Sequence, residues 1–532
     1  MSKKLNLILS LIVMVISFLG IFFVVNYEKN KTSIQEITLL EEKDSKVVNE
    51  INIKLSVFEV VLIYIFVLLI LLAIINFLFI YAKLDYKNYV RNVVFIITIL
   101  ISSSIICCGI VYLVNNKIYV NIDSKDKHVE SYIINPNGET ELVKNETINN
   151  KKYSSYKNDS NALLIKSGSI ISLNNSTIYK QGNTNNTMVS RIYGINSGIL
   201  VLKDSTLNIN NSTINTDADG GIGIVSVLSN SKVNIDMLTI DTSGEYSSGL
   251  LASIEGSITG DSIKIKTSSS NSPAISSLRS GVVRVNNAVI ETNAASSPII
   301  RTNGTINLYN TIGDANDSNI AYIDGNSSVT IDNSELKATG NNNSFDGAFV
   351  VDKNFLPNDY KSSTNLTISN SILEIKSQSK VYDKAPMFLV NSNNTVIDLT
   401  SNTLKYGSNV LLDVRNQNKS KNIIVKLNSS SQKLEGNIVV DSNSILEFSL
   451  KDTNYYGSIN NKNSAKKVAL NIDKDSKLSL LDDSYVSILK DDKEDFSNIN
   501  SNGFNIYYNS KLNPELNNKS IKLSGGGLIK PM

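Results

Sequence analysis

Glu255, Arg279, Arg301 and Asp324 follow one another at steps of 24, 22 and 23 residues. In a chain that repeats about once every 24 residues, this spacing puts one charged side chain per repeat along a single edge, in the order acid, base, base, acid. Two neighbouring guanidiniums offer forked N–H donors that match a carboxylate or an anionic sugar. The column is therefore a candidate ligand-contact site, centred on Arg279 and Arg301. The plainer reading is an exposed ladder of ion pairs, each contributing little.

Other chemistry is sparse. Asp217 with Asp219, and Asp314 with Asp317, place two carboxylates in short polar loops. They lack the further oxygens and the terminal bidentate glutamate of a calcium loop, and read as turn residues. His128 is the chain's single histidine, lies in a Lys-rich stretch and reads as solvated, which removes the usual base of a serine triad. Cys107 and Cys108 are adjacent, so they staple nothing across the fold and form no CxxC zinc motif. Glu59 reads as an interfacial group rather than a proton relay. The frequent N-x-S/T triplets follow from the abundance of Asn and Ser. No catalytic, cofactor-binding or metal-ligating residue is assigned, and no cofactor is expected.

Composition narrows the class. The 532 residues carry 51 Lys+Arg against 49 Asp+Glu, a net charge of +2, which argues against a nucleic-acid binder and an acidic disordered tail. Apolar residues reach 42 % and charged residues only 19 %, so the surface is largely uncharged amide and hydroxyl.

The apolar residues fall into two regimes. Residues 7–25, 60–82 and 93–114 are continuous apolar runs near the ~20 residues needed to cross a bilayer. They predict a three-helix membrane anchor over residues 1–115. No small-x-small site follows the first run, so it reads as retained rather than cleaved. Lys3, Lys4, Lys83, Lys87 and Arg91 flank the runs on the side expected to be cytoplasmic. This predicts a multi-pass cell-membrane protein with a cytoplasmic N-terminus and residues 116–532 extracellular, the lipid bilayer being one partner. Between the first two runs, Ile37, Leu40, Val47, Val48 and Ile51 recur at near-helical spacing and predict a short amphipathic helix.

From residue 117 onward, short alternating runs of Ile, Val, Leu and Thr are punctuated by Asn, Asp, Gly and Ser. Residues 170–178, 207–214, 233–240, 258–265, 283–290, 306–312 and 329–336 share the pattern x-I-x-I-x-N-S-x-I in degenerate form. Six successive copies end at 214, 240, 265, 290, 312 and 336. One such unit cannot bury its own apolar face, whereas stacking units at ~4.8 Å pairs each strand with its equivalents above and below. The predicted fold is all-β, a right-handed parallel β-helix preceded by the three membrane helices. The recurring Asn175, Asn211, Asn287, Asn310, Asn333 and Asn370 mark its sharp turns, because Asn tolerates the left-handed conformation and stacked amides can bond along a column. A β-sandwich would instead show hairpin signals and no fixed period. The expected boundaries are 116–160 for a juxtamembrane segment and N-terminal cap, 161–490 for the β-helix, and 491–532 for a polar loop and capping hairpin.

Residues 155–168, 271–275, 296–300 and 434–442, with the Gly-Gly-Gly-Leu-Ile-Lys-Pro ending, resemble the adhesin-like, pectin-lyase-like right-handed β-helix surface proteins of anaerobic bacteria. The resemblance covers 153–532 and implies a structural or adhesin-like binding role, with surface glycans or other cells as partners and no nucleic acid. It supplies no catalytic residues. About fourteen coils at ~4.8 Å would give a stalk of roughly 60–70 Å. The alternative from another class is a polysaccharide lyase or glycoside hydrolase on the same fold, an idea resting on fold analogy. Broad flat polar faces favour the binder, and a groove where acids and bases converge from neighbouring coils favours the enzyme.

Overall fold

The computed structural model describes residues 48–51, 65, 67, 118–121, 136–340, 346–352, 363–391, 393–416 and 421–532. The chain divides into two compact units, Met1–Ile133 and Ile134–Met532.

In the first unit, Val48–Ile51 pairs antiparallel with Ile118–Asn121. The expected amphipathic helix is therefore a strand where it is described, in keeping with the β-branched side chains of Val48 and Ile51. The three-helix anchor is also corrected. Among the described residues no helix is long and apolar enough to cross a membrane. Crossing needs about 20 helical residues in one piece, and the longest helix described, Thr187–Tyr193, has 7. An apolar run sets length and hydropathy without fixing a helix. The predicted spans 7–25, 60–82 and 93–114 lie outside the described residues apart from Ile65 and Val67. The expected multi-pass membrane localisation rested on those helices and is corrected with them.

The second unit is all β, a right-handed parallel solenoid of about 15 turns. Each turn has three faces. The first is a 12-stranded parallel sheet running from Asn137–Leu142 to Asn437–Val440. The other two are often formed by one continuous strand bent at its middle, as in Thr206–Asp217, Lys232–Thr242, Ser257–Thr267 and Val282–Thr292. Alternation drives the interior. In Lys232–Thr242 exposed and buried positions alternate except at Asp236 and Met237, two exposed residues in succession. That phase slip is the corner. Met237 adopts a φ of 53°, and Asn175, Asn211, Asn287, Asn310, Asn333 and Asn370 hold the equivalent corners at φ between 44° and 53°.

The corner amides also bond along the axis. Asn211 Nδ2 donates to Asn175 Oδ1 at 2.7 Å, and Asn333 Nδ2 to Asn310 Oδ1 at 2.5 Å. Asn310 Nδ2 reaches Asn286 Oδ1 at 2.6 Å, so the column steps sideways where the sequence offers two adjacent amides.

Like side chains stack inside. Ile171, Leu207, Val233, Ile258, Val283, Ile306 and Val329 occupy one row, and Leu366, Ile397, Leu427, Phe448, Leu470 and Leu489 extend it. All are at most 2 % exposed. One copy departs from the repeat read in the sequence. Ile312 is 58 % exposed, and Gly313 takes the inner position between Ile290 and Leu336. A Cβ on Gly313 would lie 2.8 Å from Ile299 Cδ1 and 2.9 Å from Leu336 Cδ2, so neighbouring side chains already fill that volume.

At the C-terminal end the coils close on a four-stranded sheet of Ser484–Val486, Ile506–Tyr508, Leu528–Pro531 and Ile521–Lys522. Only the last pair, Ile521–Lys522 with Leu528–Pro531, is antiparallel. Asn513 ties the segment over the end, its Oδ1 accepting from Leu489 N at 2.8 Å and its Nδ2 donating to Ser487 O at 2.8 Å.

Candidate functional site

The regular step of about 25 residues is broken once near the start. Ile178 and Ile214 are consecutive rungs, yet 36 residues apart. The surplus folds into a helix, α1 (Thr187–Tyr193). Asn186 begins it, its Oδ1 accepting from Val189 N at 3.1 Å, and Gly194 ends it at φ 69° with its N–H on Ser190 O.

α1 is fastened to the outside of the first sheet. Ser190 Oγ donates to Gly220 O at 2.7 Å. Gly194 sits so close that a Cβ would fall 2.5 Å from Val225 Cγ2, so the approach needs glycine twice over, for φ and for space. Val225 belongs to an outward row, Leu164, Leu200, Val225 and Leu251, whose members are fully buried although they point away from the solenoid interior. Past Leu251 the row turns polar, with Ser276, Arg301 and Tyr322 in register.

Here three arginines and three tyrosines meet. Arg191, in α1, lies 5.3 Å above the ring of Tyr246. Arg279 Nη1 donates to Tyr193 Oη at 3.4 Å. Arg301 lies 5.5 Å above the ring of Tyr322, whose hydroxyl donates to Asp352 Oδ2 at 3.0 Å. Among the described residues, neither Arg191 nor Arg279 forms a salt bridge. Burial, followed by the positive charge of Arg301, pulls the Arg191 guanidinium down to about 10, partly opposed by Tyr246. Burial also lowers Arg301, against the opposing pull of Tyr322 and Asp324. The positive charge of Arg301 thus acts on the half-buried Arg191, while Arg301 itself is offset by Tyr322 and Asp324.

The four residues of the candidate column do not form one line. Glu255 and Arg279 stack at a corner, Glu255 N donating to Arg279 O at 3.2 Å, and the next place is held by Asn303, whose Oδ1 accepts from Arg279 N at 2.7 Å. Glu255 is exposed. Arg301 lies on the neighbouring strand between Ser276 and Tyr322, and Asp324 pairs with Asp352. Equal spacing in sequence mixed a corner with a strand because the coils differ in length. The arginines nonetheless converge, since Arg279 reaches Tyr193 while Arg301 interacts with Arg191. Arg191, Tyr193, Tyr246 and Tyr322 were missed by the spacing argument. The signal for the first two was the surplus between residues 178 and 214.

Of the carboxylates read as turn residues, Asp217 and Asp314 lie in the strands Thr206–Asp217 and Ile312–Ala315, and three are engaged by neighbouring coils. Asp217 Oδ1 accepts from Ser243 Oγ at 2.8 Å, Asp219 Oδ1 from Glu245 N at 2.9 Å, and Asp314 pairs with Lys376. Among the described residues no group of three His, Cys, Asp or Glu is placed to hold a metal ion. Glu59, Cys107, Cys108 and His128 lie outside the described residues. No family model, curated protein or solved structure matches this chain, so the parallel β-helix itself is the extent of the likeness to adhesin-like and pectin-lyase-like proteins.

Proposed function

We propose that the solenoid is an adhesin-like binding protein whose outer flank, at the end of α1, receives the anionic group of a carboxylated glycan. The observation that carries this reading is the pair Arg191 and Arg279, held by tyrosines rather than by carboxylates of the described chain. Each guanidinium supplies forked donors that suit a planar carboxylate, and the tyrosine rings supply apolar faces against which a sugar can pack. The sheet beneath is rigid, so the donors are set before the ligand arrives.

The test is binding of the full chain to an array of acidic and neutral glycans, with an Arg191→Ala/Arg279→Ala variant alongside. Charged hydrogen bonds of this kind support a roughly tenfold to hundredfold loss of affinity for acidic ligands in the variant. Equal binding of neutral and acidic glycans, or a variant that binds as the parent does, would overturn the reading.

A second reading is favoured by one observation, the lowering of Arg191 to about 10. A guanidinium eased toward neutrality by burial and by Arg301 would suit removal of the proton next to a uronate carboxylate, the step of a polysaccharide lyase. Under that reading, reducing ends and unsaturated uronate products appear on incubation with an acidic polysaccharide, faster at pH 9–10 than at pH 7, and vanish in Arg191→Ala. A binder releases neither product.

A further inference from the structure

The corner held elsewhere by one left-handed residue is opened in the last regular coils. Between Lys467–Ile472 and Lys477–Leu480 the chain makes the turn 473–476, and after Ile488–Asp491 it makes the longer loop 492–498. These two corners stack and leave a cleft of about 280 Å³ between them. Its lining includes Lys474, Lys477 and Lys493, with Asp475 as the acidic member and Asn498. Among the described residues none of the three lysines is in a salt bridge.

Asn498 gives the cleft its chemistry. It is 7 % exposed, and its Nδ2 donates to Asp491 Oδ1 at 3.1 Å and to Asp473 O at 3.3 Å. Its Oδ1 is buried and receives no hydrogen bond among the described residues, and the same holds for Asp491 Oδ2. Asp491 sits in register with Ile472, at the end of a row whose other members include Leu450 and Ile472. Two buried acceptors without donors are costly to leave unmet. The three lysines of the lining outnumber its one carboxylate, Asp475.

We propose that this cleft is a second ligand site, for a small hydroxylated anion: a polyol or sugar unit carrying a phosphate or carboxylate. The anionic group faces Lys474, Lys477 and Lys493, while a hydroxyl donates to Asn498 Oδ1. The volume holds one sugar-sized unit and lies at the small end of ligand cavities. The site is separate in sequence and residues from the arginine cluster.

Titration calorimetry on the full chain tests it with glycerol 3-phosphate, glucuronate, inorganic phosphate and glucose. Saturable binding of glycerol 3-phosphate or glucuronate is expected, at least tenfold tighter than inorganic phosphate, which brings charge without a carbon-borne hydroxyl donor. Glucose should not bind measurably. Lys474→Ala/Lys493→Ala removes exposed and half-buried side chains and should weaken glycerol 3-phosphate binding at least tenfold, whereas Arg191→Ala/Arg279→Ala should leave glycerol 3-phosphate binding unchanged. The proposal fails if neither hydroxylated anion binds or if inorganic phosphate binds as tightly. It also fails if the lysine variant, folded by circular dichroism, binds as the parent does. Failure at this cleft leaves the arginine reading untouched, because the cleft is scored on glycerol 3-phosphate with the lysine variant and the arginine cluster on acidic glycans with the arginine variant.

Discussion

Lys180 is fully buried, and it occupies the row that Thr216, Thr242, Thr267 and Thr292 continue in later coils. Its ammonium donates to the carbonyls of Lys157 at 2.9 Å and Gly182 at 2.7 Å, and also to that of Gln181. Burial lowers it from 10.5 to about 8, against the pull of Asp159. The gap corresponds to an upper bound of about 3–4 kcal/mol, at 1.36 kcal/mol per pH unit. Screening through exposed Lys157 and half-buried Gln181 reduces that figure. The sign follows from linkage. Between about 8 and 10.5 the unfolded chain holds the proton more tightly than the folded one, so stability rises with pH across that window. Below it the whole cost of the buried charge is present. Lys180→Met removes the titration and leaves three carbonyls without a donor, so it should lower stability at pH 7 by several kcal/mol. The decisive quantity is the difference in unfolding free energy between parent and variant, measured by urea denaturation at pH 7 and again at pH 10.5. Titrations common to both proteins cancel in it. The parent's advantage should grow by 1–3 kcal/mol at the higher pH, an order-of-magnitude range. A difference that is flat or shrinks with pH would refute the argument that the lysine is held below its ordinary value.

Three further outcomes follow from the rows and corners. Met237→Asn puts an amide at a left-handed corner between Asn211 and Ser262, and should raise stability by roughly 1 kcal/mol, read as a higher urea midpoint with an unchanged slope. Ile240→Ala opens a cavity between Ile214 and Ile265 and should cost about 2–5 kcal/mol, seen as a lower thermal midpoint. Asp491 is raised chiefly by burial, so its folded form binds the proton more tightly than the unfolded chain and loses stability as pH rises through the folded value. Asp491→Asn should therefore stabilise the fold at pH 7 and lose that advantage at pH 3, with denaturant titrations at both pH values as the check.

The solenoid was legible because its two determinants are local. A side chain that must adopt positive φ leaves a mark on sequence, and Asn175, Asn211, Asn287, Asn310, Asn333 and Asn370 carry it. Alternation then gives the inner rows without knowledge of any other coil. The limits appear where a coil is satisfied by something other than its own pattern. Ile312 fits the repeat by residue type and yet points outward, because Ile299 and Leu336 leave the inner place to Gly313. For the apolar runs in the first 115 residues, length, hydropathy and flanking charge are all consistent with spans, and none of them fixes a helix.

Site geometry was only half legible, and the reason is topological. Repeat spacing aligns residues that lie at the same angular position of successive coils, so it can relate Glu255 to Arg279. It cannot relate Arg279 to Tyr193, because Tyr193 belongs to an inserted helix and its side chain reaches a later coil. A solenoid builds a site by laying such an insertion over a flat face, and the two interact through side chains far apart in the chain. The buried outward row Leu200, Val225 and Leu251 is the trace of this arrangement, since strands apolar on both faces must be covered on both. In a stacked fold, then, a break in the period together with a doubly apolar strand locates the face that an insertion covers, which a column of charges does not.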